Sequence, residues 1–322
     1  MRRSIWYGIR AKTRFALFLL LASCARVPHG IDPQVNYTVH QRYLDQLPSP
    51  FPPLGALEKS TDWGKEYLIG IKLARSLDFY RAITAFRRAE ILIPEGETSR
   101  KIEMQYEILL CYFIGRRYSE VDTAYMQSGL SKVGPDFPAF HDLLLILYDT
   151  YEQLCDYDKT CYILQLIETH YPGSYETLAL SSALRRGDLD TLCQFTQLQT
   201  ERPYLDDFLA CYEQNKKSQT TASVLNAVLP GAGYLYVGQK QTAVTAFLMN
   251  GLFIASSVYF YKNGPLAAAI ITTGFELGWY VGGIQGASYQ AKFYNERLYE
   301  TNATPMMNRE KLFPIYMLNY SF

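Results

Sequence analysis

Residues 82–94 read Ala-Ile-Thr-Ala-Phe-Arg-Arg-Ala-Glu-Ile-Leu-Ile-Pro and set the pattern for the middle of the chain. Their apolar residues recur at the spacing of an α-helix that buries one face. Gly70 lies twelve residues before Ala82, inside another segment with helical spacing. Small residues at these two positions would let two helices approach closely, Phe86 would fill the gap between them, and Pro94 would end the second helix. The stretch therefore predicts a pair of packed helices.

Three further units with weaker patterns follow this pair. The four units end near Pro94, Pro135, Pro172 and Pro203, which lie 41, 37 and 31 residues apart. These spacings bracket the roughly 34-residue period of the tetratricopeptide (TPR) repeat, and the Gly and Ala-x3-Phe positions of the first unit resemble that repeat. The resemblance implies a solenoid of stacked helical pairs over residues 63–215. A non-repeat helical bundle is the alternative.

A TPR-like stack presents a concave face to a peptide or protein, so the resemblance implies an interaction scaffold. We predict that four tyrosines line this groove: Tyr106, Tyr112, Tyr148 and Tyr151. Residues 63–215 carry 15 basic and 23 acidic side chains, a net charge of −8. Such a charge favours a basic or polar partner surface, and the alternative is that the acids only solvate the outer faces.

The first 24 residues have the layout of an export signal. Five cations and no acid accompany an apolar run over 15–21, which is too short to span a bilayer stably. The run leads into Leu21-Ala22-Ser23-Cys24, which resembles the bacterial lipoprotein signal. The resemblance implies cleavage before Cys24, lipidation of Cys24 and attachment to an envelope membrane facing the periplasm. An ordinary signal peptide or an uncleaved anchor is the alternative.

Residues 25–62 contain prolines that interrupt every helix that could form there. Their densest run is Pro-Ser-Pro-Phe-Pro-Pro over 48–53. We predict an extended, semi-rigid tether for the whole segment. A proline-rich ligand for a partner protein is the alternative.

Residues 220–300 form a second, apolar module. A Pro-Gly-x-Gly-x-x-Tyr-x-Gly motif over 230–238 precedes the uncharged run 242–261, and the apolar run 266–284 contains one charge, Glu276. Each run is long enough to cross a hydrocarbon core of roughly 30 Å. The motif and its two apolar segments resemble a bacterial two-helix membrane module, which implies a hydrophobic helical hairpin and no particular chemistry.

Glycines recur at every fourth position of the second apolar run and the residues after it: Gly274, Gly278, Gly282 and Gly286. On a helix they form one stripe that permits close approach of another helix. The partner is either the first helix of the hairpin or a second copy of the chain, so a homo-oligomer is one expectation.

Glu276 lies near the middle of its predicted span. A carboxylate in lipid is costly unless it is protonated, paired or turned toward protein. We predict Asn250, midway along the first span, as its hydrogen-bond partner. A packing contact is the structural interpretation, and an intramembrane site for a proton or substrate is the functional one.

The last segment, 301–322, ends Tyr316-x-Leu318-x-Tyr320-x-Phe322. This alternation resembles the signal that ends outer-membrane β-barrel chains. We interpret it as a strand or extended peptide that docks on the chain's own repeats, with a chance likeness as the alternative.

The whole chain of 322 residues has 31 basic and 31 acidic side chains, so it lacks the basic surface of a nucleic-acid binder. Nucleophile, dinucleotide and zinc motifs are missing from the sequence, so we predict no enzyme, no cofactor and no metal site. Cys155 and Cys161 are a candidate disulfide in an oxidising envelope, and unpaired buried thiols are the alternative.

These features together predict an all-α protein, a TPR-like solenoid followed by a hydrophobic helical hairpin. The leading hypothesis is a membrane-anchored envelope lipoprotein that binds other envelope proteins or peptides through its repeats and touches membrane lipid. The alternative hypothesis is a membrane-embedded transport or insertion factor that uses Glu276, with the repeats as a docking arm. Inner and outer membrane both stay open.

Overall fold

A computed structural model of the chain describes residues 27, 30–37, 41–198 and 202–322. The predicted signal segment, including Cys24, lies outside these residues. Within the described part the regular structure is helical and contains no strand, which confirms the predicted all-α class.

The N-terminal half of the described chain forms α1 (Gln41–Leu44), α2 (Ala56–Ser60), α3 (Asp62–Arg75), α4 (Phe79–Leu92), α5 (Thr98–Ile114), α6 (Tyr118–Gln127), α7 (Phe140–Gln153), α8 (Tyr157–His170), α9 (Pro172–Arg186) and α10 (Leu189–Leu198). The C-terminal half forms α11 (Pro203–Asn215), α12 (Gln219–Val228), α13 (Ala232–Tyr236), α14 (Lys240–Asn263) and α15 (Leu266–Arg309). Short 3-10 turns occupy Gly129–Lys132 and Pro314–Met317.

The chain divides into two compact units. The helical-pair unit comprises residues 35–206 and 302–322. The apolar-helix unit comprises the described residues up to Gln34 together with 207–301. Residues 35–37, 41–62 and 302–322 thus fold with the helical pairs, whereas the sequence assigned them to a separate tether and tail.

Helices α3 to α10 follow one another as four pairs, and the same kind of tight turn joins the two helices of each pair. One residue of every turn has a left-handed backbone: Leu77 (φ 62°), Arg116 (φ 56°), Cys155 (φ 56°) and Gly187 (φ 66°). The next main-chain N–H donates to a carbonyl five residues earlier: Asp78 to Leu73, Arg117 to Tyr112, Asp156 to Tyr151 and Asp188 to Ala183. Each bond satisfies a carbonyl at a helix end. The turns lie 39, 39 and 32 residues apart, so one structural unit repeats four times within the described residues.

The first pair packs as its sequence predicts. A Cβ atom on Gly70 would lie 2.6 Å from two ring carbons of Phe86, so a side chain there would force α3 and α4 apart. Ala82 and Phe86 are fully buried. Helix α4 ends at Leu92, two residues before Pro94. Consecutive helices from α3 to α10 contact each other, and the most deeply buried residues lie in α5 and α7.

In the apolar-helix unit, the Pro-Gly-x-Gly-x-x-Tyr-x-Gly motif builds a close packing of helices rather than an open loop. Gly231 has φ 94°, and a Cβ atom there would meet the carbonyl oxygen of Ala243 at 2.4 Å. A Cβ atom on Gly233 would meet the carbonyl oxygen of Ala222 at 2.2 Å. The Asn226 side chain accepts a hydrogen bond from the Gly231 N–H at 2.8 Å. The glycines of the motif therefore permit α12, α13 and α14 to touch.

Two long helices follow the motif. Among the described residues, α14 alone is long and apolar enough to cross a membrane, and 22% of its most apolar window is buried. Helix α15 continues for 44 residues to Arg309, well beyond the apolar run predicted at 266–284. A hydroxyl hydrogen bond from Ser257 to Thr272, 3.1 Å long, links the two helices.

Candidate functional site

The end of the chain lies on the first helices of the helical pairs. Residues 312–322, here named the docked tail, contain a 3-10 turn that contacts α7 and α9. The carboxylate of Asp142 on α7 accepts main-chain hydrogen bonds from Asn319 at 2.9 Å and from Tyr320 at 2.8 Å. We call the surface of α3, α5, α7 and α9 that carries the docked tail the groove. Of the segment 301–322 that the sequence suggested as a strand or extended peptide, only residues 318–322 lie extended on the groove, whereas the residues up to Arg309 belong to α15.

The last residue is held from α3. Arg75 donates from Nε and Nη2 to the main-chain oxygen of Phe322, at 3.1 and 2.7 Å. The Phe322 side chain is 1% exposed and packs near Phe79, with 6.3 Å between ring centroids. Arg75 on α3 and Phe79 on α4 therefore hold the tail at Phe322. Asp142 on α7 holds it at Asn319 and Tyr320.

The predicted tether is wrong as a free spacer within the described residues. Tyr37 packs on Phe313 with ring centroids 5.1 Å apart, and Tyr43 packs on Tyr316 at the same distance. The Ser321 N–H donates to a main-chain oxygen of the proline run at 48–53, at 3.0 Å. Prolines prevent helix formation there, but they do not prevent aromatic side chains from being buried.

The first residues of the predicted tether are also bound, within the apolar-helix unit. The Asp32 N–H donates to Glu296 at 3.0 Å, and the Gln34 N–H donates to Glu300 at 2.6 Å. Both carboxylates lie on α15, so the segment follows this helix rather than extending away from it.

The four predicted groove tyrosines are mostly packing residues. Tyr106, Tyr148 and Tyr151 are 0%, 3% and 2% exposed, and Tyr112 is half-buried. Tyr106 lies against Phe51, with 5.7 Å between ring centroids, and burial raises its pKa well above the usual tyrosine value. Tyr106 is covered by the extended segment that carries Phe51, whereas Tyr151 contacts Asp122 and Lys159 of neighbouring helices.

Acidic side chains lie under this surface, on α5 and α7. Those that are almost fully buried are Glu103, Glu107, Asp142 and Asp149. Glu103 accepts from the Tyr67 hydroxyl and pairs with Arg100 at 2.8 Å, and Asp149 pairs with Arg185. Three of the four acids therefore have partners.

Glu107 is the exception. Its two carboxylate oxygens are buried and have no hydrogen-bond partner among the described residues. Burial raises the pKa of Glu107 well above its ordinary value, nearby Glu103 raises it further, and Arg75 opposes the shift. Burial and the charge of Glu103 therefore both disfavour the ionised form of Glu107. Sequence reasoning missed this residue, although an acid directly before the apolar run 108–111 was a visible signal.

Three of the four glycines of the stripe have no close neighbour within the described residues. Cβ atoms built on Gly274, Gly278 and Gly282 would meet nothing within 4 Å, whereas one on Gly286 would meet the Tyr234 hydroxyl at 2.2 Å. Close packing of the stripe against α14, one of the two predicted partners, is thus not formed.

The predicted pair of intramembrane polar residues does not bond. Asn250 donates to the Ala246 carbonyl of its own helix at 2.6 Å, and its side-chain oxygen has no partner in the described part of the chain. The same is true of both carboxylate oxygens of Glu276. The geometry of helix α14 turns the Asn250 amide to its own main chain instead of to Glu276.

Cys155 and Cys161 are free thiols, so the candidate disulfide is not formed. Cys155 sits in the left-handed position of the third turn and Cys161 lies one turn into α8. No group of three or more His, Cys, Asp or Glu within the described residues has an arrangement that could hold a metal ion.

Comparison of the chain with models of known protein families, with curated proteins and with solved structures finds no match.

Proposed function

We propose that the protein is a membrane-anchored scaffold of the cell envelope, with a TPR-type stack of helical pairs that binds extended segments of other proteins. The repeated turns and the contacts between successive helices support the stack. Stacked helical pairs bury a continuous core and leave one long surface for a ligand. The groove is that surface.

The observation that carries the proposal is the docked tail. Side chains of the groove already hold an extended segment. Asp142 accepts hydrogen bonds from two main-chain N–H groups, and Arg75 donates to a main-chain oxygen. Contacts of this kind recognise backbone more than sequence. A surface built to hold one extended segment suits another of similar shape.

The proposed anchors are a lipidated Cys24 and the hydrophobic hairpin of α14 and the first part of α15. The apolar composition of α14 supports insertion in lipid. Mass spectrometry of the mature N-terminus tests the lipid anchor: we expect an acylated Cys24 and no residues before it. A mature chain that still carries residues 1–23 would contradict this anchor and leave the helices as the membrane contact.

Photo-crosslinking in cells tests the scaffold role. A photoreactive phenylalanine in place of Phe137, which packs on Phe51 at the groove, should capture a defined envelope protein. The same residue in place of Tyr80, 80% exposed on α4, is the matched control and should not capture that protein. Equal capture at both positions, or none at Phe137, would contradict binding in the groove.

A membrane-embedded transport or insertion factor is the second candidate, favoured by one observation. Both carboxylate oxygens of Glu276 lack a partner in the described residues, in an otherwise apolar run. A structural carboxylate is normally paired, so an unpaired one in lipid points to a proton or substrate. Glu276→Gln should abolish function at normal abundance in this case and should be silent if the scaffold role is the whole function.

A further inference from the structure

The buried and exposed faces of α14 are the reverse of those of a helix in water. Its buried side chains are small or polar: Ala243, Ala246, Asn250 and Ser257. Its exposed side chains include large apolar ones: Val244, Phe247, Leu248, Leu252 and Ile254. A helix in water buries its large apolar residues, whereas a helix in lipid presents them to the acyl chains and packs through small residues. This reversal supports the proposed insertion of α14.

Helix α12, which precedes the two predicted spans, has the same reversed faces. Val224, Leu225 and Val228 lie together on its exposed face, and Val228 is 79% exposed. The buried face carries Ala222 and the polar Asn226. No charged side chain occurs in the sequence from 218 to 239. Water is therefore a poor environment for the exposed face of α12.

Hydrogen bonds to α15 give the direction in which the α12 segment runs. They join the two at three levels: Lys217 with Asn295, Ser223 with Ile284, and Ala227 with Tyr280. The residue numbers fall along α15 as they rise along α12, so the two helices are antiparallel. The end of α12 therefore lies beside Tyr280, which is within the predicted apolar run 266–284. At 1.5 Å per residue, this level is roughly 6 Å inside the end of that run.

The break between α12 and α13 meets the condition that lipid imposes on a polypeptide chain. Hydrocarbon offers no water to main-chain N–H groups, so each of them needs a partner within the protein. All N–H groups from 229 to 232 have one: Leu229 donates to the Leu225 oxygen, Gly231 to the Asn226 side chain and Ala232 to the Leu229 oxygen, while Pro230 has no N–H. The buried Asn226 thus completes the pairing at the break.

The start of α12 and the end of α13 lie together. The Ser218 N–H donates to the Tyr236 hydroxyl at 3.1 Å. The Lys217 ammonium lies over the Tyr236 ring, 5.1 Å from its centroid, and 5.9 Å from the centroid of Tyr294 on α15. Lysine and tyrosine are typical of the membrane–water interface, because each combines an apolar body with a polar end. The chain therefore enters and leaves at one level.

We propose that α12 and α13 form a re-entrant hairpin whose tip, Val228 and Leu229, enters the acyl-chain region of one leaflet. Phospholipid then covers the exposed face of α12, and Lys217 and Tyr236 stay at the headgroups. Helix α12 has ten residues and is about 15 Å long, so it is too short to cross the bilayer.

This inference rests on the proposed membrane anchor, because it adds a second lipid contact beside α14. The two remain separable in experiment, since lipid contact can be measured at a position on α14 and at a position on α12 in parallel.

Photo-crosslinking to lipid tests the inference on the full chain in vesicles of phosphatidylcholine and phosphatidylglycerol. A photoreactive phenylalanine replaces Val228 at the tip. The matched control has it in place of Thr221, which is exposed on the same face two turns nearer the entry. Leu252 on α14 is the reference for lipid contact, and Tyr80 on α4 is the reference outside the membrane. All four side chains are exposed, so the substitutions spare the core, and peptide mass spectrometry locates the adducts.

We expect phospholipid adducts at Val228 in a yield similar to that at Leu252, a yield several-fold lower at Thr221, and none at Tyr80. Equal yields at Thr221 and Val228 would overturn entry by the tip. Adducts at Leu252 without adducts at Val228 would overturn the re-entrant hairpin and leave the anchor intact. Adducts at neither position would contradict the anchor as well. Capture of a second copy of the chain at Val228 in place of phospholipid would overturn lipid as the occupant.

Discussion

Arg75 donates two hydrogen bonds to the main-chain oxygen of Phe322, which follows it by 247 residues in the chain. The contact ties the end of the chain to the first helical pair, after the chain has passed through the apolar-helix unit. The docked tail of the protein therefore occupies the groove.

Arg75→Ala should loosen the docked tail. The loss of two hydrogen bonds from a partly exposed guanidinium should lower the free energy of unfolding by about 1 kcal/mol. Limited proteolysis should cut after residue 312 faster than in the unmodified chain. Arg81→Ala, which removes an exposed arginine paired with Asp78, is the control and should leave the tail protected.

Gly70→Ala should destabilise the first helical pair. The added Cβ atom would lie 2.6 Å from the ring of Phe86, so the two helices must separate or the ring must move. Overpacking of this kind costs about 1–3 kcal/mol, measurable by thermal unfolding followed by circular dichroism. Phe86→Leu in the same chain should recover part of the loss; an additive double variant would show that the two positions do not share a contact.

Glu107→Gln should flatten the dependence of stability on pH. Because burial raises the pKa of Glu107, the folded chain keeps a proton that the unfolded chain releases above the ordinary glutamate pKa. Stability from this site is therefore full at low pH and falls as pH rises toward the raised pKa. Denaturant unfolding at a series of pH values should show a shallower decline for the variant and convergence of the two chains in acid. Parallel curves would mean that Glu107 does not titrate differently on folding.

Gly278→Ile should weaken self-association if two copies meet through the glycine stripe. A Cβ atom at this position meets nothing within 4 Å in the described residues, so the space directly beside the glycine is open in the single chain. A branched side chain would hold two helices apart. Chemical crosslinking in bilayers should show fewer dimers, with Gly251→Ile, at a similarly open position on α14, as the control.

The helical pairs were accessible to sequence reasoning because their determinants are local. Gly70 and Phe86 lie in neighbouring helices joined by a short turn, so spacing alone predicted their contact. The prediction that four tyrosines line the groove did not anticipate their burial, because burial does not follow from local spacing. Tyr106 is fully buried beside Phe51, and no periodicity along the chain reveals a contact between segments so far apart.

The sequence by itself determined the helical class, the first helical pair and the apolar character of α14, because helical periodicity, side-chain volume and composition act over a few turns of chain. Only the tertiary structure decided which segment occupies the groove and which N–H groups donate to Asp142. It also decided that Glu107 has no hydrogen-bond partner among the described residues. Those outcomes depend on which distant segments exclude water from a given side chain. Burial by residues hundreds of positions away is a property of the folded chain as a whole.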